Sequence, residues 1–391
     1  MKYKILLSAY SCEPNLGSEA EIGWSWVKYL SKTNNKVYVI TRKSNRKKIK
    51  KFKFNNIKFF YYDLPDFFIY LIKGGKGKSN SYLYFYVWQI AIFLKFYRFI
   101  KLVKFDYIHH VTLGSFRIPS FLCLFKAKFI FGPVAGGETV HRNLTKKFSN
   151  LSKLKEIIRY FSNLCVKYSI FTNLTFYKSH KIYLTSKDCI KFVPKKYHKK
   201  CIIFPAISTD KLFYEIKNKK KFYNIYFAGR LVEWKGIRLL LDVYKNLHRN
   251  KIYINLKIFG NGDYKSEIIK FINRYNLKKI RLFGHLEQKK YFAQIKKTDL
   301  LVFPTLRDSG GYVIIEALKN NIDVITSNAG GPSTIIKKNS IGLVNIKNKS
   351  YENVVRDFTK KITDYYFSSK KRKYQLNKFL KIENKYKSIY S

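Results

Sequence analysis

After Asp210 one pattern recurs five times: a short apolar run, a loop rich in glycine or polar residues, then a stretch with helical apolar spacing. The runs cover residues 224–228, 254–259, 280–283, 300–303 and 323–326. Short runs with little polar alternation suit strands buried on both faces, which is the condition of a parallel sheet. Helical spacing between them, for example at 237–247 and 266–275, supplies the crossovers that parallel strands require. A similar series precedes it, at residues 3–8, 36–40, 57–62, 107–111 and 128–131, with a helix expected over 22–30. The fold class expected is therefore α/β, with two doubly wound Rossmann-like domains. Pro205 disfavours a central strand, so the boundary is expected near 204–208. The domains read as 1–205, 206–350 and a basic helical segment 351–391 that packs back on the first domain.

Lys and Arg number 78 against 24 Asp and Glu, a formal charge of +54. The excess has two sources that the sequence does not separate: anionic partners such as a membrane surface, nucleic acid or phosphorylated substrates, and a uniform compositional bias toward Lys, Asn, Ile, Tyr and Phe. At 46% hydrophobic residues the chain can bury real cores, which excludes global disorder. The five cysteines, Cys12, Cys123, Cys165, Cys189 and Cys201, form no CxxC pair, as expected of a reduced, cytoplasmic protein. The apolar stretch near the start is too short for a secretory signal. Residues 82–94 are apolar and aromatic, and Lys95, Arg98, Lys101 and Lys104 follow at helical spacing. Two readings stay open there, an interfacial helix and a packing helix with a basic end.

The residues that can carry chemistry fall after the strands of the second series, where open α/β sheets bind ligands. In Phe227-Ala228-Gly229-Arg230-Leu231-Val232-Glu233-Trp234-Lys235-Gly236 a strand ends at a glycine and presents Arg230 and Lys235 beside a helix start. Two fixed cations at a helix N-terminus suit a diphosphate. In Thr305-Leu306-Arg307-Asp308-Ser309-Gly310-Gly311-Tyr312-Val313-Ile314-Ile315-Glu316, two of the scarce acids flank a Gly-Gly step whose N–H groups open a helix. A carboxylate at Glu316 can accept hydrogen bonds from the vicinal hydroxyls of a ribose or hexose. Two further loops, Gly260-Asn261-Gly262-Asp263 and Asn328-Ala329-Gly330-Gly331-Pro332, follow strands at the same sheet edge. No GxGxxG follows the first strand, so a dinucleotide oxidoreductase is disfavoured.

These motifs resemble glycosyltransferase family 4, of the GT-B fold, in which two Rossmann-like domains face each other across a cleft. The resemblance extends to Ser11-Cys12-Glu13-Pro14-Asn15-Leu16-Gly17-Ser18-Glu19, to His109-His110-Val111-Thr112 and to Gly132-Pro133-Val134-Ala135-Gly136-Gly137-Glu138. It implies a retaining hexosyltransferase that uses a nucleotide diphosphate sugar and needs no metal or other cofactor. Arg230 and Lys235 would neutralise the leaving diphosphate, Glu316 would bind the ribose, and Asp308 with Gly310 and Gly311 would hold the donor sugar. Gly17, Gly229 and Gly260 would complete the donor site. His109 and His110, adjacent on one strand, point to opposite faces, and either is a candidate for the reaction centre. Asp308 stands where glutamate is commoner in the family, and Thr334 where an acid often follows the Gly-Gly turn. The acceptor expected is a glycan or a lipid-linked hydroxyl in cell-surface polysaccharide synthesis, at the inner face of the plasma membrane, with no nucleic acid involved. The alternatives are a GT-B-fold sugar-nucleotide epimerase and a basic nucleic-acid-binding protein.

Overall fold

The computed structural model describes residues 3–14, 18–67, 82–216, 224–337, 342–368 and 372–390. The chain divides into two compact units. The first takes Met1–Gly137, Phe161–Asp210 and Lys378–Ser391; the second takes Glu138–Tyr160 and Lys211–Asn377.

In the first unit, β1 (Lys4–Ala9), β2 (Lys36–Thr41), β3 (Ile57–Tyr61), β4 (Tyr107–Thr112), β5 (Lys128–Val134), β6 (Lys181–Leu184) and β7 (Cys201–Ile203) form one sheet. Their order is β3-β2-β1-β4-β5-β6-β7 and the pairing is parallel. Only the first residue of β1 and of β2 is exposed, because helices cover both faces of the sheet. Alternation along the strands feeds two cores. Leu6, Ile40, Trp88, Ile108 and Phe131 line one face; Ile5, Leu7, Trp26, Val39 and Ile130 line the other.

The aromatic segment expected over 82–94 is the first half of a longer helix, Tyr82–Val103. Tyr84, Trp88, Ile92 and Ile100 pack into the core, and the Trp88 indole N–H donates to the Tyr62 carbonyl at 3.1 Å. Leu94, Tyr97 and Leu102 are exposed. Among the described residues, this helix alone is long and apolar enough to cross a membrane by length and composition.

The second unit repeats the architecture. Strands β9 (Asn224–Ala228), β10 (Asn255–Phe259), β11 (Ile280–Gly284), β12 (Leu300–Phe303), β13 (Asp323–Ser327) and β14 (Leu343–Val344) pair in parallel in the order β11-β10-β9-β12-β13-β14. Sequence reasoning did not foresee a two-stranded antiparallel ribbon of β8 (Phe213–Ile216) and β15 (Arg372–Gln375).

Two segments lie in a different unit from the one expected. Residues 138–160, read as part of the first domain, belong to the second. Polar pairs hold them there: Glu156 accepts from Arg307 Nε at 2.8 Å, and Glu233 accepts from the Ser149 N–H at 2.8 Å. Residues 351–391, read as one helical segment, divide. Helix Tyr351–Phe367 stays with the second unit, where the Tyr351 hydroxyl donates to Asp242 at 2.7 Å. Only Lys378–Ser391 belongs to the first unit. Its helix Ile382–Tyr390 buries Ile389 and Tyr390 in the core beside Trp26 and Tyr107. There Lys385, fully buried, donates to the carbonyls of Ala206 at 3.2 Å and Ile207 at 2.6 Å and to Ser208 Oγ at 3.1 Å. Three donors on one ammonium are thus all used.

Candidate functional site

The loops after β9, β10, β12 and β13 leave one edge of the second unit's sheet and support one another. At β9 the Gly229 N–H donates to the Phe259 carbonyl at 3.1 Å, and the Leu231 N–H to Asn261 O at 2.9 Å. A Cβ on Gly260 would lie 1.9 Å from the Gly229 carbonyl oxygen, so glycine lets these two loops touch. Gly236, at φ +75°, brings its Cα against the Pro304 carbonyl, where a Cβ would sit 1.9 Å from the oxygen. That contact joins the start of helix Ile237–Arg249 to the end of β12.

Lys235 and Asp308 meet across this junction, Nζ to Oδ2 at 2.6 Å. The Asp308 carboxylate is largely buried and also accepts on Oδ1 from the N–H groups of Gly310 at 3.0 Å and Gly311 at 3.4 Å. Burial alone would raise its pKa. Lys235 and the two N–H groups outweigh burial and hold it below the ordinary value. The N–H groups of the Gly-Gly step are therefore turned onto Asp308. Gly310 stays open: among the described residues, a Cβ there would meet no atom within 4 Å. From beneath, the Gly331 N–H donates to the Asp308 carbonyl at 2.7 Å, which ties the turn after β13 to the acid loop.

Arg230 is exposed at the end of β9, its guanidinium 5.7 Å from the Trp234 ring centroid. Arg307 lies over the same ring at 4.5 Å and is held by Glu156. Trp234 is thus a common platform for two cations, a role its place inside the Arg230–Gly236 motif did not announce.

Glu316 sits in helix Tyr312–Lys319. Burial raises its pKa, and the Tyr291 hydroxyl donates to its Oε2 at 3.2 Å. Tyr291 in turn stacks edge-on against Phe259, ring centroids 5.5 Å apart. Tyr291, in helix Gln288–Ile295, was missed because it lies in no motif. Thr334 is buried, and its hydroxyl donates to the Gly330 carbonyl at 3.3 Å. Among the described residues, no group of three or more His, Cys, Asp or Glu is placed to hold a metal ion.

Gly17 lies outside the described residues. The loop's Glu19 accepts from the N–H groups of Leu113 at 2.7 Å and Gly114 at 2.6 Å, which ties that loop to the end of β4.

Both candidate histidines are fully buried. His109 Nε2 donates to the Gly132 carbonyl at 2.7 Å, which leaves Nδ1 to accept from the Tyr390 hydroxyl at 2.7 Å. His110 turns to the opposite face, beside Phe131, with Nε2 3.4 Å from the Leu113 carbonyl. Burial pushes His109 down to about 3 and His110 down to about 4. Both are therefore neutral in the folded chain at neutral pH. The unfolded chain takes up these protons below the ordinary histidine value of about 6.5, whereas the folded chain resists until about 3 to 4. The stability they confer is present above that ordinary value and is lost as pH falls through this window. The unfolding free energy from urea titrations is expected to drop between about pH 7 and pH 5, by on the order of 2 kcal/mol per histidine. A flat profile would show that the imidazoles titrate normally.

A family model described as Glycosyl transferases group 1 matches residues 208–378. An uncharacterized glycosyltransferase of Methanocaldococcus jannaschii is 29% identical over 122 residues, 31% of this chain and 33% of that protein. The match thus spans about a third of that relative's length. An uncharacterized 41.2 kDa protein in the cps region of Klebsiella pneumoniae is 25% identical over 323 residues, 77% of this chain and 82% of its own. Among solved structures, the apo lipopolysaccharide outer core galactosyltransferase WaaB superposes with a TM-score of 0.58 at 12% identity, covering 93% of this chain and 91% of that one. Anabaena HepE in complex with UDP and glucose gives 0.51 at 13% identity, covering 94% and 92%. At such identities the structural matches carry the fold alone. Residues 208–378 thus match the glycosyl transferases group 1, and the two doubly wound units have the GT-B fold.

Proposed function

We propose that the chain is a retaining glycosyltransferase that moves a hexosyl unit from a nucleotide diphosphate sugar to a hydroxyl of a glycan or lipid-linked acceptor. The observation that carries this reading is the meeting of Lys235 with Asp308 where the loops after β9 and β12 adjoin, with Arg230 in the same loop as Lys235 and set against Trp234. Arg230 offers a planar fork for phosphate oxygens and Lys235 a point charge. Together they would stabilise the negative charge that grows as the nucleoside diphosphate departs. The acceptor hydroxyl would attack the anomeric carbon from the leaving-group side and pass its proton to a departing phosphate oxygen, which retains configuration. Asp308, kept ionised, would accept from donor hydroxyls with its remaining lone pairs. Because Lys235 and two N–H groups already engage both its oxygens, it orients rather than attacks. Glu316 would take the ribose diol, and Gly310 leaves room for the sugar. HepE, with UDP and glucose in its structure, and the Klebsiella relative from a cps region support a nucleotide-sugar donor and a cell-surface polysaccharide product. The net charge of +54 fits work at the anionic inner face of a membrane. No metal or other cofactor enters this scheme.

Incubation with UDP-, GDP- and ADP-sugars should release one nucleoside diphosphate in step with acceptor-linked sugar. Release without linked sugar, or isomerised sugar nucleotide, would overturn the transferase reading.

Tyr291 supplies a finer check. Its hydroxyl fixes one oxygen of Glu316 and leaves the other for the ribose. Tyr291→Phe is expected to raise the donor KM about threefold to tenfold with kcat nearly unchanged, the cost of about one hydrogen bond. An equal fall in kcat would assign Tyr291 to the chemical step instead.

A further inference from the structure

Helix Asn150–Cys165 is inside out. Its inward positions are polar: Glu156 pairs with Arg307 at 2.8 Å, and Asn163, fully buried, accepts from Arg117 Nε at 2.7 Å. Its outward positions are apolar. Leu151, Leu154, Ile157, Ile158 and Phe161 are each at least half exposed, and Cys165 is exposed as well. At 3.6 residues per turn these side chains form one continuous stripe about 120° wide. Lys153 and Lys155 flank it on either side. Just beyond the helix the chain exposes Tyr168 and Ile170 almost completely. A soluble surface rarely presents so many large apolar side chains together.

We infer that this stripe is a membrane-docking surface, lying in the interfacial plane of an anionic phospholipid bilayer. Charge selects the occupant. A second copy would bring another +54 chain against the same face, whereas acidic headgroups complement the flanking lysines. Leucine, isoleucine and phenylalanine at the acyl boundary, with lysine stems reaching up to the phosphates, match the pattern of interfacial helices. The inference moves the membrane contact away from helix Tyr82–Val103, whose Trp88 and Ile92 face the core. It shares the membrane with the functional reading above and nothing of the donor chemistry.

The experiment uses the full chain and two kinds of vesicle, phosphatidylcholine alone and phosphatidylcholine with phosphatidylglycerol. The chain should sediment with the anionic vesicles. Leu154→Ser combined with Ile157→Ser, which leaves charge unchanged, should weaken that binding about tenfold or more. Melting temperature and the thermal shift on adding UDP should stay at the parent values, which separates failure here from failure of the donor site. An environment-sensitive fluorophore on Cys165, in a Cys201→Ser background, should shift to the blue with anionic vesicles. Unchanged vesicle binding by the double variant, or no spectral shift, overturns the inference. So does a parent dimer in light scattering that the double variant dissociates, since the occupant would then be a second copy.

Discussion

Lys235→Ala is expected to cut sugar transfer by about 10²- to 10³-fold, and Arg230→Ala by a similar factor. The two should separate in everything else. Arg230 is exposed and rests on Trp234, so its loss leaves the fold intact and the melting temperature within about a degree. Lys235 is the cation that keeps Asp308 ionised against burial. Without it, only the Gly310 and Gly311 N–H groups oppose burial, and the pKa of that carboxyl rises. Residual activity of Lys235→Ala should therefore fall further as pH drops from neutral toward the carboxylate range, while Arg230→Ala should keep the parent profile. Lys235→Arg restores charge but replaces a compact ammonium by a fork, and recovers activity only in part. The readout is kcat/KM for nucleoside diphosphate release, beside a melting curve. Retention of activity within about threefold in both alanine variants would remove these cations from the mechanism.

The largest expected loss of stability lies away from the site. Asp323 begins β13 and is almost fully buried. Arg372 Nη1 meets its Oδ2 at 2.6 Å, and the Tyr374 hydroxyl donates to its Oδ1 at 2.9 Å. The guanidinium also stacks on Tyr365 at 3.9 Å and donates to that residue's carbonyl at 2.9 Å. Arg372→Ala strands a buried carboxylate and is expected to cost about 3–5 kcal/mol. Asp323→Asn with Arg372→Met removes both charges at similar volume, and its cost should be far below the sum of the single changes. Chemical denaturation of the parent, of Asp323→Asn and Arg372→Met singly, and of the double variant measures this. Equal losses in the single and double variants would show that the ion pair does not set the stability.

Much of the architecture was legible because parallel strands announce themselves. Stretches such as Leu300–Phe303 must be apolar throughout when both faces are covered, and the loops after them are where glycine and charge collect. The polar centre at β9 and β12 was legible for the same reason, as Asp308 stands out where acids are scarce and Lys235 follows a strand-ending glycine at a helix start. What escaped was written in side-chain direction. The alternation of β4 puts His109 and His110 on opposite faces, yet nothing local says that helices bury both. The tie from Tyr291 to Glu316 spans 25 positions with no motif. Residues 150–165 have clear helical periodicity, but periodicity does not say which face is inward. Here Glu156 and Asn163 are buried while Leu154 and Ile157 are exposed. The return of Lys378–Ser391 to the first unit rests on Lys385 and Tyr390, whose partners lie far back in the chain.

That return sets a timetable for synthesis on the ribosome. Strand β4 and its His109 emerge early, but the hydroxyl that satisfies His109 belongs to Tyr390, translated only after the whole of the second unit. Until then the first unit has an open seam along Trp26 and Tyr107, where Tyr390 later packs. The later-made unit can therefore reach its final form first, and the earlier-made one waits for a late peptide to close it.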